Sequence, residues 1–145
     1  MSLTFQDLLK QVKADISECS VQELHERLNR DGDVTVIDIR EPDEHTGGLI
    51  PGSVICPRGF LELRIETIAP SRQAPIAVLC AGGTRSALGA KALQALGYSN
   101  VMSVAGGVGA WSRAGFDLEH RKMLSQGQKA RYARQIILPQ LGDKG

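Results

Sequence analysis

The chain has 145 residues, 42% of them hydrophobic, with 17 Lys and Arg against 16 Asp and Glu and a formal net charge of +1. That length suits one globular domain with a short appendage and buries roughly two thirds of the unfolded surface, so no metal or disulfide framework is needed to hold it. The near-even charge excludes nucleic acid as a default partner, and no apolar run approaches the roughly 18 residues of a membrane span.

Thr4 with Asp7 three positions on has the form of a capping pair, and Leu8, Leu9 and Val12 supply an apolar face, which predicts a helix over 4–12. A brief strand is expected near Ile16. Ser20-Val21-Gln22-Glu23 has capping-box spacing, and Val21, Leu24 and Leu28 share one helical face up to Asp31-Gly32. The run from Val34 to Ile39 is β-branched and nearly all apolar, as a strand buried on both faces of a parallel sheet requires. Gly47-Gly48, Pro51-Gly52 and Pro57 punctuate a loop-rich stretch around a short strand, Val54-Ile55-Cys56. Phe60 to Ile68 reads as a helix ended by Pro70. Pro75 to Leu79 is a second buried strand that runs directly into Cys80-Ala81-Gly82-Gly83-Thr84-Arg85-Ser86. A helix over 86–96, rich in Ala and Leu, stops at Gly97. A third strand covers Val101 to Val104, Gly106-Gly107 makes a turn, and Val108 to Arg113 is a short helix carrying the single Trp, Trp111. Strands alternating with helices at these lengths predict an α/β fold with a central parallel sheet flanked by helices on both faces.

In open parallel sheets ligands bind beyond the carboxyl ends of the strands, which is where Cys80 falls. Ala81, Gly82 and Gly83 are small or conformationally permissive, so the backbone can curl with several N–H groups turned inward as an anion nest at the start of the next helix. A nest and nearby cations lower a cysteine pKa from about 8.5 to about 3.5–7.5. Arg85 brings a permanent charge on a planar donor fork, and Thr84 and Ser86 bring hydroxyls that can donate to an anion on sulfur or cap the helix. Cysteine alone at a strand end is as readily packing as chemistry. The order of strand, Cys, two glycines, Arg and Ser favours a nucleophile. Cys19 and Cys56 read as packing thiols, and three cysteines without close spacing exclude a zinc site and a disulfide scaffold. A cytoplasmic protein with reduced thiols is the expectation.

Three stretches together resemble the single-domain rhodaneses, persulfide-forming sulfurtransferases. Cys80 to Ser86 is similar to the family's loop pattern C-x-x-G-x-R-S. Asp38-Ile39-Arg40-Glu41-Pro42-Asp43-Glu44 and Gly48-Leu49-Ile50-Pro51-Gly52-Ser53 are similar to D-[VI]-R-x-x-x-E and G-H-I-P-G-A, with Leu49 where His is usual. Val104 to Trp111 is similar to the ending L-x-G-G-[IV]-x-A-W. The resemblance covers about residues 15–117 and implies a rhodanese-like fold. It implies further that the Cys80 thiolate takes a sulfane sulfur from thiosulfate or another protein's persulfide, holds it as a persulfide and passes it to a thiophilic acceptor, with no metal or organic cofactor. Loop residues Ala81, Gly82, Gly83, Thr84, Arg85 and Ser86 would then surround the sulfur. Arg85 would bind substrate together with Arg58, whose segment resembles a P-R-G-x-L-E stretch of some rhodaneses in which the Arg faces the pocket. Asp38 and Arg40 read as a strand-end pair that orders the following loop. The competing readings are a Cys-dependent phosphatase, whose loop is C-x5-R where this chain has C-x4-R, and a non-catalytic rhodanese-fold interaction module.

The even charge conceals an asymmetry: residues 1–120 hold 11 basic and 15 acidic side chains, whereas 121–145 hold 6 basic and 1 acidic. The expected organisation is a catalytic domain over 1–118, a polar linker over 119–130 and a basic stub over 131–145. Arg131 to Leu138 reads as an amphipathic helix stopped by Pro139. That stub resembles the opening of the adenylyltransferases that activate sulfur-carrier proteins in molybdopterin and thiamine biosynthesis, which implies a sulfur-carrier protein as acceptor.

Overall fold

The chain opens its first two helices with reciprocal caps. The Thr4 hydroxyl accepts from the Asp7 N–H at 3.0 Å while the Asp7 carboxylate accepts from the Thr4 N–H, and Ser20 and Glu23 repeat the arrangement. They start α1 (Phe5–Asp15) and α2 (Val21–Arg30). The computed structural model describes residues 3–121. The helix expected over Arg131 to Leu138, and the expected linker from residue 122 on, lie outside the described residues. The remaining elements are α3 (Leu61–Ile68), α4 (Thr84–Ala95) and α5 (Gly107–Arg113), with strands β1 (Ser17–Cys19), β2 (Thr35–Asp38), β3 (Val54–Ile55), β4 (Ile76–Leu79) and β5 (Val101–Val104).

The strands form one sheet in the order β1-β5-β4-β2-β3 with every neighbouring pair parallel. β4 lies in the middle, which explains its unbroken apolar run: both faces are covered and all four residues are buried. Its side chains alternate between two cores. Ile76 and Val78 join Ile37, Leu61, Ile65, Ala90 and Leu93 beneath α3 and α4. Ala77 and Leu79 join Val36, Leu24, Val104 and Trp111 beneath α2 and α5. Helices therefore cover both faces, as the alternation in sequence predicts.

Two local departures bear on the site. α4 begins at Thr84, ahead of the expected residue 86, because Gly83 in the left-handed region (φ +107°) turns the chain straight from the loop into the helix. Thr84, Arg85 and Ser86 consequently form its first turn. The stretch expected to be loop after β2 folds as a 3-10 helix, Pro42–Gly47, with the Glu44 carboxylate accepting from the Glu41 N–H at 2.8 Å. Parallel strands bring the loop after β4, this 3-10 helix after β2 and the Gly106-Gly107 turn after β5 to the same end of the sheet.

Candidate active site

Cys80 directly follows β4, with 1% of its surface exposed. Its Sγ accepts from the Gly83 N–H at 3.1 Å and the Ser86 N–H at 3.3 Å, and the Ser86 hydroxyl lies 3.4 Å away. Burial by itself raises this thiol. The Ser86 hydroxyl and the N–H groups of Ser86, Gly83 and Gly82 outweigh it and bring the pKa below the ordinary thiol value. The other two cysteines lack such donors, and burial pushes each of them up to about 11. One thiol of three is thus arranged to ionise. Ala81 and Gly82 are exposed at the loop's tip, beside the buried sulfur.

The loop holds its shape because its carbonyls are tied down from behind. The Val108 N–H donates to the Cys80 carbonyl at 2.9 Å and the Gly109 N–H to the Ala81 carbonyl at 3.0 Å, so the first turn of α5 grips the outer side of the loop. Gly107 makes this approach possible. A Cβ there would stand 2.3 Å from the Cys80 carbonyl oxygen and 2.6 Å from that of Ala81. In the sequence this glycine reads as a turn residue only; the doubled glycine at the start of the Trp-containing helix is the signal for a close backbone approach.

Both cations expected to bind substrate have carboxylate partners. Arg85 makes a bidentate pair with Glu44, 2.8 Å at each contact, which holds the Glu44 carboxyl down at about 2 and raises Arg85 further above its usual value. Arg58 donates to the Glu62 carboxylate at 2.8 Å from a 3-10 turn anchored by its own N–H on the Ile39 carbonyl. Thr84 is exposed on the first turn of α4. Behind Glu44, Arg40 grips both oxygens of Asp38 and donates to the carbonyls of Glu44 at 2.9 Å and Gly48 at 3.0 Å. The strand-end pair orders the following segment as expected. A continuous line of contacts then runs from Asp38 through Arg40 and Glu44 to Arg85. In the sequence Glu44 closes the stretch Asp38–Glu44 with no part of its own and Ser103 reads only as strand; the fold sets Glu44 on Arg85 and the Ser103 hydroxyl 2.8 Å from that of Ser86. Among the described residues, no cluster of three His, Cys, Asp or Glu is arranged to hold a metal, and no helix is long and apolar enough to cross a membrane.

The family model of the rhodanese-like domain matches residues 20–114. A sulfurtransferase of Allochromatium vinosum is 31% identical over 103 residues, which are 71% of this chain and 94% of that protein. Among solved structures, the polysulfide-sulfur transferase homodimer of Wolinella succinogenes superposes with a TM-score of 0.71 at 28% identity, covering 81% of this chain and 88% of that one. RPA3614 of Rhodopseudomonas palustris, described as a protein of unknown function and "Possible Tyrosine Phosphatase", superposes with a TM-score of 0.72 at 34% identity, covering 82% of this chain and 96% of that one.

Proposed function

The chain belongs to the rhodanese-like domain family, and we propose that within its general sulfurtransferase activity Cys80 is the group that carries the sulfur. The observation that supports this most directly is the Cys80 environment: two N–H groups at 3.1 and 3.3 Å and a hydroxyl at 3.4 Å favour the thiolate on one cysteine alone. The thiolate attacks the outer sulfur of a sulfane donor. A new S–S bond forms on Cys80 as the donor's bond breaks, and its electron pair leaves with sulfite from thiosulfate or with the thiolate of a donor persulfide. A thiophilic acceptor then attacks the outer sulfur and returns Cys80 as thiolate. The same amides stabilise both anions.

Arg85 and Arg58 serve an anionic donor on this reading, each exchanging its carboxylate partner for the donor. With a sulfur-carrier protein as acceptor the polarity reverses: the outer persulfide sulfur attacks the adenylated carboxyl terminus of the carrier and AMP leaves. A thiol reductant then cleaves the resulting acyl disulfide to free the thiocarboxylate and the Cys80 thiolate. This reading rests on the resemblance of residues 131–145 to the start of a carrier adenylyltransferase. The catalytic unit is residues 1–118 and the setting is cytoplasmic. Mass spectrometry after incubation with thiosulfate or a persulfide tests the core of the proposal. A gain of one sulfur mass that disappears in Cys80→Ala is expected, and no adduct with any sulfane donor overturns it.

The description of the Rhodopseudomonas palustris protein favours a second reading, a Cys-dependent phosphatase. The shorter C-x4-R loop and the engagement of Arg85 by Glu44 weigh against it. Turnover of an aryl phosphate by the wild type, abolished in Cys80→Ser, would establish it.

A further inference from the structure

Ser103 is a polar residue among apolar ones in β5, Val101-Met102-Ser103-Val104, and it is fully buried. Its backbone is engaged in the sheet between Val78 of β4 and Glu18 of β1. Its hydroxyl lies 2.8 Å from that of Ser86, whose oxygen in turn lies 3.4 Å from Cys80 Sγ. Ser86 is itself fully buried, so both hydroxyls are withdrawn from bulk solvent and lie against each other.

The direction of these hydrogen bonds follows from counting hydrogens. A thiolate only accepts, so Ser86 must give it the single hydrogen of its hydroxyl. Ser86 then has only lone pairs left for Ser103, and Ser103 must donate. Every hydroxyl hydrogen has an acceptor in that state. Protonating the sulfur places three hydrogens in a row with two links and strands one of them. A serine in the first turn of a helix also has a competing option, turning its hydroxyl back to a carbonyl three or four residues earlier. A donor on the far side of the Ser86 oxygen opposes that rotation and polarises the hydroxyl toward sulfur.

We propose that Ser103 is a positioning residue of the sulfur-transfer site, which acts through Ser86 by holding and polarising its hydroxyl toward Cys80 Sγ. The inference rests on the reading of Cys80 as the sulfur-carrying group. Arg85 acts on Cys80 through space and Glu44 already pairs with it, so substitution of the uncharged Ser103 leaves both of these charges in place.

The test is the pH profile of iodoacetamide alkylation in the full chain, followed on the Cys80 peptide by mass spectrometry, for wild type, Ser86→Ala, Ser103→Ala and the double variant. Cys19 and Cys56, pushed up to about 11, stay outside the window. Ser103→Ala is expected to raise the Cys80 midpoint by about half a pH unit, roughly a threefold loss of thiolate below the midpoint. Ser86→Ala raises it further, and the double variant goes no higher than Ser86→Ala alone. Ser103→Cys, close in size with a weak donor, gives the same upward shift and replaces the alanine variant should that not fold. An unchanged midpoint on removal of the hydroxyl, or shifts that add in the double variant, overturn the proposal. No sulfur donor enters the measurement, so a wild type that takes up no sulfur refutes the sulfurtransferase reading separately.

Discussion

Gly107→Ala tests whether α5 shapes the Cys80 loop from behind. The new Cβ would lie 2.3 Å from the Cys80 carbonyl oxygen and 2.6 Å from the Ala81 oxygen, both rigid backbone atoms. An ordinary carbon to oxygen contact is about 3.3 Å or longer, so the two backbones must separate by about 1 Å. That displacement takes the hydrogen bonds from Val108 and Gly109, now 2.9 and 3.0 Å, out of range, each worth about 0.5–1.5 kcal/mol. The left-handed φ of +57° costs a side-chain-bearing residue about 1–2 kcal/mol more. Together these amount to about 2–5 kcal/mol, a large part of the roughly 5–15 kcal/mol that holds a domain folded. Urea unfolding measures the loss, and alkylation of Cys80 reports whether the amides still point at sulfur. Gly82→Ala is the internal control: a Cβ there meets nothing within 4 Å, and its cost is expected to stay within about 0.5 kcal/mol. A Gly107→Ala protein within about 1 kcal/mol of wild type and with an unchanged Cys80 profile would refute the reasoning.

Arg40→Met strands the Asp38 carboxylate, which is 0% exposed, and is expected to cost about 3–5 kcal/mol in denaturant unfolding; Asp38→Leu combined with Arg40→Met recovers most of it, because no buried charge is left without a partner. Glu44→Gln costs no more than about 1 kcal/mol, since the side chains of the pair are 31% and 38% exposed and solvent screens them. It frees Arg85 and is expected to lower the KM for thiosulfate in steady-state assays; a higher KM contradicts a substrate-binding part for Arg85. The Glu44 carboxyl is held at about 2, below its ordinary 4.5, so the pair's contribution is fully present above pH 4.5 and is lost as the pH falls toward 2. The stability difference between wild type and Glu44→Gln therefore closes over that acid range.

The fold was legible because its signals are local. Thr4 with Asp7 and Ser20 with Glu23 mark helix starts within four residues, and the β-branched run from Val34 marks a central strand on its own. The environment of the Cys80 thiol was legible for the same reason, since Cys80 and its amide donors Gly83 and Ser86 share one heptapeptide. What the sequence hid depends on pairings across the sheet. Glu44 and Arg85 are 41 residues apart and meet only because β2 and β4 are neighbours. Ser86 and Ser103 are 17 apart and meet because α4 packs against β5. Arg85 and Arg58 show the limit from the other side: their type announced positive charge, while their engagement by Glu44 and Glu62 is a property of the folded chain.

That engagement changes which forces can act on the sulfur. With Arg85 matched by Glu44, the field at Cys80 Sγ comes chiefly from N–H dipoles and one hydroxyl, all fixed by backbone geometry before any donor arrives. Preorganised dipoles need no rearrangement during the reaction, and their influence falls off faster with distance than that of a free charge. In sulfur transfer the negative charge moves outward by a single S–S bond, about 2 Å. A short-ranged field suits that displacement: it stabilises the thiolate most strongly and the outer sulfur of the persulfide less. On the proposed reading of Cys80 as the sulfur carrier, the charged terminal sulfur is then less tightly held than the thiolate that replaces it, so the geometry that favours ionisation of Cys80 before loading also favours release of the sulfur afterwards.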